Sequence, residues 1–427
     1  MLIADLHIHS RYSRACSPEL DLANIAKWCQ IKGINLVSTG DFTHPAWIEE
    51  IKRDLEEVGN GFLKLKLPPP PTSPSGRGRN DDVRFILGTE VSCIYKHKEK
   101  TRRVHLLLFF PKISDVEKFN SALTKEGCNI RADGRPILGL SAKQILQIIK
   151  DINPKSVLIP AHAWTPWFAV FGSKSGYDSL EECFEELTPE IFAIETGLSS
   201  DPPMNWRLSA LDKITLISNS DAHSLPNLGR EANMFNLDIA KTNYDEFFGA
   251  IKNKDSELFL KTIEFYPEEG MYHVDGHRDC DFSCLPSQTK KLGGLCPKCK
   301  KSLTVGVLSQ VEKLADRPLG YRPPDAIPYV SLVELDKIIA QTLGVKNRKS
   351  VKVQAEYEKM IKYHNEFEIL LDLSYDDLAK LTTPIIVEGI KRVREGKLKI
   401  TPGFDGEYGR VEIFTDDERK ELQGKLL

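Results

Sequence analysis

Histidine and carboxylate residues recur at the ends of short apolar segments in residues 1–265 of this chain. In chain order, the set is His7, His9, Asp41, His44, Glu90, His105, His162, Asp221 and His223. In folds built from parallel strands, functional side chains gather where the carboxyl ends of the strands meet. A single histidine in an apolar strand is usually a core residue, and a single H-x-H occurs often by chance. Because the pattern repeats at six strand ends, we predict that these side chains meet and bind metal ions.

Short β-branched segments alternate with amphipathic segments over the same part of the chain. The predicted strands are residues 2–6, 35–39, 83–91, 104–110, 156–161, 190–195, 214–219 and 258–265. The predicted helices are residues 20–32, 46–58, 141–149 and 245–253, and Ser141 with Gln144 forms a capping box. Alternation at this spacing is typical of βαβ units with parallel strands. We therefore predict an α/β fold, either a barrel or a doubly wound sheet.

The composition changes near residue 270, where the strand–helix alternation stops. We predict three domains, because a chain of 427 residues is too long for one compact core of ordinary size. They are a barrel-type domain at residues 1–268, a cysteine- and lysine-rich domain at residues 270–320, and a connector with a helical domain at residues 321–427. Residues 59–82, inside the first domain, are rich in proline, glycine and serine, which predicts a flexible insertion.

Composition and charge exclude several classes of protein. No segment approaches the run of about 18 apolar residues that a membrane-spanning helix needs. The first residues, MLIADLHIHS, carry no basic leader and no small-residue cleavage site, so we expect a cytoplasmic protein. The nine cysteines are too few and too uneven for a secreted disulfide framework. With a formal net charge of −3, any binding to nucleic acid must come from local basic patches and bound metal.

Four of the cysteines form two close pairs separated by eleven residues. They are Cys280, Cys284, Cys296 and Cys299. Four thiolates at this spacing are typical of a tetrahedral structural zinc site, with a redox role as the alternative. His273 and His277 lie near enough in sequence to be alternative ligands, although we do not expect them to replace a thiolate. Such a site stabilises a segment that is too small to fold alone.

Three basic clusters follow the strand–helix region. They comprise Lys290, Lys291, Lys298, Lys300 and Lys301; Lys346, Arg348, Lys349 and Lys352; and Lys391, Arg392, Arg394, Lys397 and Lys399. A run of charge is usually a solvated helix face. Next to a predicted metal cluster, however, the clusters favour binding to a nucleic-acid backbone. We predict contacts from Lys298, Lys300, Lys301, Lys391, Arg392 and Arg394.

The ordered set of histidines and carboxylates resembles the polymerase-and-histidinol-phosphatase (PHP) family, over about residues 1–265. The resemblance implies an α/β fold in the form of a distorted seven-stranded (β/α)7 barrel with up to three divalent ions. It implies one ion on His7, His9, Glu90 and Asp221, a second on Glu90, His105 and His162, and a third to which His223 contributes. Where the family usually has Asp-His, this chain has Asp41-Phe42, so we assign Asp41 and His44 as substitutes.

The wider arrangement resembles the endonuclease Q family. The resemblance rests on the histidine–carboxylate set, the ribbon segment LCPKCKKSLTVGV, the connector RPLGYRPPDAIPY and a helical tail. It implies cleavage of DNA on the 5′ side of a deaminated base (hypoxanthine, uracil or xanthine) or an abasic site. An enzyme of this kind takes the nucleotide out of the base stack. Trp164, Trp167, Phe168 and Phe171 are candidates for stacking on it, with ordinary loop packing as the alternative.

These inferences lead to one main hypothesis and two alternatives. The main hypothesis is a DNA repair endonuclease in which metal ions activate water for attack on phosphorus, with Asp221, Glu90 and His223 as catalytic residues. The implied cofactors are Zn²⁺ at the cysteines and in the barrel, and Mg²⁺ or Mn²⁺ for cleavage. The partner is lesion-containing DNA, and the sequence leaves open whether a sliding clamp is recruited. The alternatives are a phosphomonoesterase of the histidinol-phosphate type and a non-catalytic nucleic-acid-binding module.

Overall fold

A computed structural model describes residues 1–67 and 82–425. The strands are β1 Leu2–Asp5, β2 Leu36–Ser38, β3 Leu55–Glu57, β4 Leu63–Leu65, β5 Arg84–His97, β6 Lys100–Phe110, β7 Ile137–Leu138, β8 Val157–Pro160, β9 Ala193–Glu195, β10 Thr215–Ile217, β11 Ala232–Phe235, β12 Phe259–Glu264, β13 Asp275–His277, β14 Phe282–Cys284, β15 Tyr329–Ser331, β16 Lys399–Thr401 and β17 Arg410–Glu412. The helices are α1 Leu22–Lys32, α2 Pro45–Asp54, α3 Ile113–Lys125, α4 Ala142–Ile152, α5 Leu180–Phe184, α6 Pro202–Asn205, α7 Tyr244–Lys252, α8 Pro286–Lys291, α9 Val307–Leu314, α10 Leu335–Leu343, α11 Val351–Ile361, α12 Tyr375–Leu381, α13 Pro384–Arg394 and α14 Asp416–Lys425. None of the helices in these two described ranges is long and apolar enough to cross a membrane.

Among the described residues, eleven strands form one mixed sheet. Its main order is β15-β12-β11-β1-β2-β5-β4-β3, and β6, β7 and β8 join through β5 and β6. Strand β1 pairs in parallel with β2, which in turn pairs in parallel with β5. The contacts of β1 with β11 and of β11 with β12 are antiparallel. Strands β9 and β10 form a separate parallel pair. The predicted α/β class is confirmed, and the sheet contains both parallel and antiparallel pairs.

The two longest strands form an antiparallel hairpin, which departs from the parallel βαβ pattern predicted for residues 1–265 as a whole. Strand β6 pairs along its whole length with residues 87–97 of β5, from Leu87 opposite Phe110 to His97 opposite Lys100. Lys98 and Glu99 make the connection in the left-handed backbone region. A connection this short can join only antiparallel strands, because a parallel crossover needs a dozen or more residues.

Local sequence signals account for several element boundaries. Ser141 and Gln144 form the predicted capping box at the start of α4. Helix α2 ends at Asp54, four residues before the predicted end, because residues 55–57 form β3 and pair with β4. Strand β4 therefore lies inside the predicted flexible insertion. Residues 68–81 of that insertion lie outside the described part of the chain.

Apolar side chains pack on both faces of the sheet. In β2, Leu36 and Val37 belong to different apolar clusters, as do Leu106 and Leu107 in β6. This alternation follows from the two-residue period of a strand, and covered faces are typical of layered α/β folds. The larger cluster also includes residues of α10 and α13, and β15 extends the sheet beside β12. The C-terminal helices therefore share a core with the region that carries the histidines.

Candidate metal centre

The H-x-H motif lies just beyond β1, and its two rings are almost completely buried. The exposed fractions of His7 and His9 are 1% and 0%. Both carboxylate oxygens of Glu195 lie 3.1 Å from Nδ1 of His7. Asp41 Oδ1 lies 3.0 Å from Nδ1 of His9. Each carboxylate therefore fixes one ring nitrogen and leaves the Nε2 atom of that ring available as a ligand.

A first group of ligand atoms forms around the Nε2 atoms of His7 and His9. Atoms of His7, His9, Glu90 and Asp221 all lie within 4.8 Å of one another. Asp221 Oδ1 is 3.1 Å from His9 Nε2, and Glu90 Oε2 is 3.4 Å from the same atom. The Nε2 atom of His7 is buried without a hydrogen-bond partner. An unsatisfied buried nitrogen is costly unless a ligand occupies it, so the set fits a divalent cation.

A second group shares Glu90 with the first. Glu90 Oε1 lies 2.7 Å from His105 Nδ1 and 3.1 Å from His162 Nε2. The atoms of these three residues also lie within 4.8 Å of one another. The two oxygens of Glu90 thus face different groups, which is the geometry of a carboxylate that bridges two ions.

The electrostatics of the centre favour a bound cation. Burial opposes protonation of His7, but the carboxylates of Glu195, Asp221 and Glu90 outweigh it and raise the pKa of His7 well above its usual value. Burial would raise the pKa of Glu90, yet His105, Arg135 and His7 hold it well below its usual range. The carboxylates are therefore ionised and attract positive charge, which a divalent ion supplies in place of the histidine protons.

The structure places Asp41 and His44 outside both groups. Asp41 lies behind His9, and its Oδ2 accepts hydrogen bonds from the backbone N–H of Ser10 at 2.6 Å and from its hydroxyl at 2.7 Å. His44 precedes α2, and its ring stacks on Tyr12 with centroids 4.5 Å apart. Strand β2 ends at Ser38, so both residues belong to the following turn, where Asp41 has a φ of 44°. This turn directs Asp41 towards the histidine ring.

His223 lies at the edge of the first group. Its Nδ1 is 2.9 Å from the backbone oxygen of Asp221, and its ring centroid is 4.5 Å from that of His9. The backbone of Asp221 has a φ of 46°, and that of His162 a φ of 27°. Non-glycine residues rarely adopt this region, and they do so most often at functional sites.

Two residues at the centre were not assigned as ligands from the sequence. Glu195 is the last residue of β9, and its carboxylate contacts Nδ1 of His7. Arg135 lies in the loop before β7, and its Nη1 donates to Glu90 Oε2 at 3.0 Å. No periodic or motif signal marks an arginine in a loop, so only the fold brings it to the site.

The cysteine region forms a third group with a different membership from the predicted one. Ligand atoms of His277, Cys280, Cys296 and Cys299 lie within 4.8 Å of one another. Cys284 lies outside this group, with its Sγ 3.3 Å from Thr289 Oγ1. The hairpin of β13 and β14 explains the difference, because His277 pairs with Phe282 next to the turn, and Cys284 lies at the other end, opposite Asp275.

The surroundings of this group act differently on two of its thiols, because a hydrogen bond with Cys299 raises the pKa of Cys280 to about 11 while the pKa of Cys296 is lowered. Burial acts to raise the pKa of Cys296, but hydrogen bonds from the backbone N–H groups of Cys299 and Lys298 lower it below the usual value. Lys298 donates through Nζ to the backbone oxygen of Cys280 at 2.6 Å. The side chain of Lys298, predicted to contact nucleic acid, therefore supports the cysteine loop.

Other predicted nucleic-acid contacts are also used within the protein. Arg394 donates to the backbone oxygens of Ile369, Leu370 and Leu373, which end a helical turn. Arg392 bonds to Glu388 and Glu418 through its guanidinium. These two side chains stabilise the helical region. Lys300, Lys301 and Lys391 remain at least partly accessible to a ligand.

The aromatic residues after β8 have unequal exposure. Trp164 is 1% exposed and donates through Nε1 to Asn205 Oδ1, and Phe171 packs against it. These two are core residues and do not reach a ligand. Phe168 contacts His105 with ring centroids 4.7 Å apart. Trp167 is 38% exposed and lies at the surface near the centre.

A cleft of about 610 Å³ opens beside the first group. Its wall includes Asp221, His223, Arg230, Trp167, Tyr272 and Lys337. The rings of Trp167 and Tyr272 meet edge to face, with centroids 5.6 Å apart. The cleft therefore combines aromatic faces with the cationic side chains of Arg230 and Lys337, and it opens directly onto Asp221.

These features define a mixed α/β protein with metal-ligand groups on its sheet and in a separate cysteine-containing segment at residues 277–299. The structure is similar to that of the lesion-specific endonuclease PfuEndoQ from Pyrococcus furiosus, with a TM-score of 0.82 and 31% identity, covering 96% of this chain and 95% of that one. It is equally similar to endonuclease Q in complex with a 27-mer duplex that has an abasic lesion at the active site (TM-score 0.82, 31% identity, 98% of both chains). The chain belongs to the endonuclease Q family.

Curated relatives extend the comparison. The uncharacterized protein MJ0043 of Methanocaldococcus jannaschii is 35% identical over 58% of this chain, and the alignment spans only 31% of that protein. The uncharacterized protein YqxK of Bacillus subtilis is 28% identical over 96% of this chain and 99% of its own length. The protein-family model for the MJ0043 C-terminal domain matches residues 334–397 of this chain. None of these comparisons points to a sliding clamp.

Proposed function

We propose that this chain is a metal-dependent DNA repair endonuclease that hydrolyses the phosphodiester 5′ to a deaminated base or an abasic site. The observation that carries the proposal is the position of Glu90 between two groups of ligand-type atoms, in a chain that resembles endonuclease Q along nearly its full length. Two ions a few ångströms apart can stabilise the attacking and leaving oxygens of a phosphodiester together. The abasic duplex bound by endonuclease Q supports DNA as the substrate class.

The residues at this centre would have two different roles. His7, His9, Glu90, Asp221, His105 and His162 would hold the ions. Divalent ions, when bound, would polarise the phosphate and lower the pKa of water. Asp41 and Glu195 fix the ring orientation of His9 and His7, so that the ligand nitrogens need no rearrangement when an ion binds.

We further propose that the cleft beside Asp221 holds the extruded nucleotide. Trp167 and Tyr408 are exposed aromatic side chains at its wall, and a base or a sugar can pack against the face of Trp167. Replacing Trp167 by alanine should weaken binding to lesion DNA by ~1–3 kcal/mol, the usual contribution of stacking on one base.

We also propose that the chain has three domains. Residues 1–268 would form a PHP-type barrel, and residues 270–320 a zinc ribbon with His277 as a ligand. Residues 321–427 would form the helical DNA-binding domain. The group at His277, Cys280, Cys296 and Cys299 supports the zinc site, because one imidazole and three thiolates are a common structural zinc set.

The test is a cleavage assay on end-labelled duplexes that differ at one position. Each duplex carries one abasic site, hypoxanthine, uracil or xanthine, and an undamaged duplex is the control. We expect a nick on the 5′ side of the lesion in Mg²⁺ or Mn²⁺, and no nick with chelator. Asp221→Asn should abolish cleavage and leave the fold intact, while Asp376→Asn, at an exposed aspartate, should not affect it. Turnover of a phosphomonoester without cleavage of lesion DNA would favour the small-molecule alternative.

A further inference from the structure

Arg135 brings a positive charge to the carboxylate that the two ligand groups share. Its Nη1 donates to Glu90 Oε2 at 3.0 Å, on the side of the first group. In the described ranges, no other lysine or arginine side chain pairs with a carboxylate of either group. The side chain is 26% exposed, so the guanidinium lies between the buried centre and solvent. An incoming ligand can therefore reach it.

The backbone that carries Arg135 is fixed against the centre. The N–H of Gly134 donates to the backbone oxygen of Tyr12 at 2.9 Å, and the hydroxyl of Thr43 donates to the backbone oxygen of Gly134 at 3.1 Å. A Cβ atom at Gly134 would lie 2.5 Å from Oδ2 of Asp41, so the segment packs closely on the turn that orients His9. These contacts hold the Arg135 backbone in place without the arginine side chain.

Most of the hydrogen-bonding capacity of Arg135 is unused within the protein. A guanidinium has five N–H donors, and the described residues show one hydrogen bond from it, to Glu90. Arg394, by contrast, is engaged with three backbone oxygens. A partly exposed guanidinium with spare donors suits bidentate contact with phosphate oxygens.

The charge balance also favours an anionic ligand. An ion held by Glu90 competes with Arg135 for Oε2, because both are cations. Ions held there would weaken the pairing of the guanidinium with Glu90 and would place the guanidinium near positive charge. A phosphate oxygen restores the balance, because it is attracted to the ions and to the arginine at once. We propose that Arg135 binds a non-bridging oxygen of the scissile phosphate; this inference rests on the proposed function.

The direct test measures binding of inorganic phosphate to the full-length protein saturated with Mn²⁺, by isothermal titration calorimetry. Arg135→Gln should weaken phosphate binding at least ~10-fold, and Arg135→Lys should weaken it less, because the charge remains without the bidentate geometry. Arg131→Gln, at an exposed arginine of the same loop, is the matched control and should bind as the wild type does. The Mn²⁺ content at saturation should be the same in all four proteins.

Two results would overturn the assignment. The first is unchanged phosphate affinity in Arg135→Gln. The second is loss of Mn²⁺ from both Arg135 variants, which would show that Arg135 supports ion binding. In cleavage assays, Arg135→Gln should lower kcat by ~100-fold with a smaller change in KM, and Arg135→Lys should restore part of it. If wild-type protein fails to cut lesion DNA while phosphate binding still depends on Arg135, the proposed function fails, and Arg135 keeps only the role of a phosphate ligand at this centre.

Discussion

Asp41 Oδ1 lies 3.0 Å from His9 Nδ1, and this contact turns the Nε2 atom of His9 towards Asp221. Glu195 has the same relationship to His7. Carboxylates in this position fix the tautomer of a ligand histidine and increase its basicity. The acidic residues of the centre therefore have two roles, because some face the ions and others hold the rings from behind.

Replacing Asp41 by asparagine should weaken ion binding without unfolding the protein. An asparagine amide presents an N–H to Ser10 or to the histidine ring, so the ring loses its fixed tautomer. We expect a ~10–100-fold loss of Mn²⁺ affinity, as is usual when a residue behind a ligand histidine is changed. Calorimetric titration of metal-free protein with Mn²⁺ measures this affinity.

His44 provides the control for this experiment. Its ring stacks on Tyr12, away from both ligand groups, so His44→Gln should bind Mn²⁺ with the affinity of the wild type. Loss of an ion in His44→Gln would instead make this residue a ligand, as the sequence predicted.

The cysteine hairpin allows a test of ligand identity. Cys284→Ser should keep one equivalent of zinc, because Cys284 lies outside the group of ligand atoms. His277→Ala and Cys299→Ser should lose that ion and destabilise the hairpin, since binding of a structural zinc is coupled to folding. Zinc content, measured by mass spectrometry of purified protein, separates the two sets. Loss of zinc from Cys284→Ser with retention of zinc in His277→Ala would instead support the predicted four-thiolate site.

Glu264 predicts a pH dependence of stability away from the metal centre. Burial raises the pKa of this carboxyl to about 8 from a usual value of 4.5. The folded protein therefore holds a proton that the unfolded chain releases, and the stabilisation falls as the pH rises from about 4.5 towards 8. In Glu264→Gln, the side chain at this position cannot titrate. The difference in free energy of unfolding between this variant and the wild type should therefore shift in favour of the variant by ~2–4 kcal/mol between pH 5 and pH 8. Denaturant titrations at the two pH values test this, and a constant difference would contradict it.

The sequence allowed much of the centre to be predicted, because its signals are local. His7 and His9 are two residues apart after a strand, and the period of a strand puts both on one side. Glu90, His105, His162 and Asp221 also lie in or just after apolar segments. The fold class follows from the same alternation.

The remaining differences depend on contacts between distant residues. The exclusion of Cys284 follows from the register of β13 with β14, and cysteine spacing alone does not specify that register. Arg135 comes from a loop, where no periodicity marks a functional side chain. Trp164 and Arg394 look accessible in sequence, but the fold buries the first and uses the second to bind backbone oxygens. These roles are set by tertiary packing.

The most direct test of the account is the number of ions that the centre holds. Mass spectrometry of Mn²⁺-loaded protein should show two ions in addition to the one at the cysteine group, matching the two ligand groups that share Glu90. Glu90→Gln should lose both ions while its circular dichroism spectrum stays that of the wild type. Wild-type protein without ions beyond the cysteine site, or a Glu90→Gln variant that keeps both, would contradict the account.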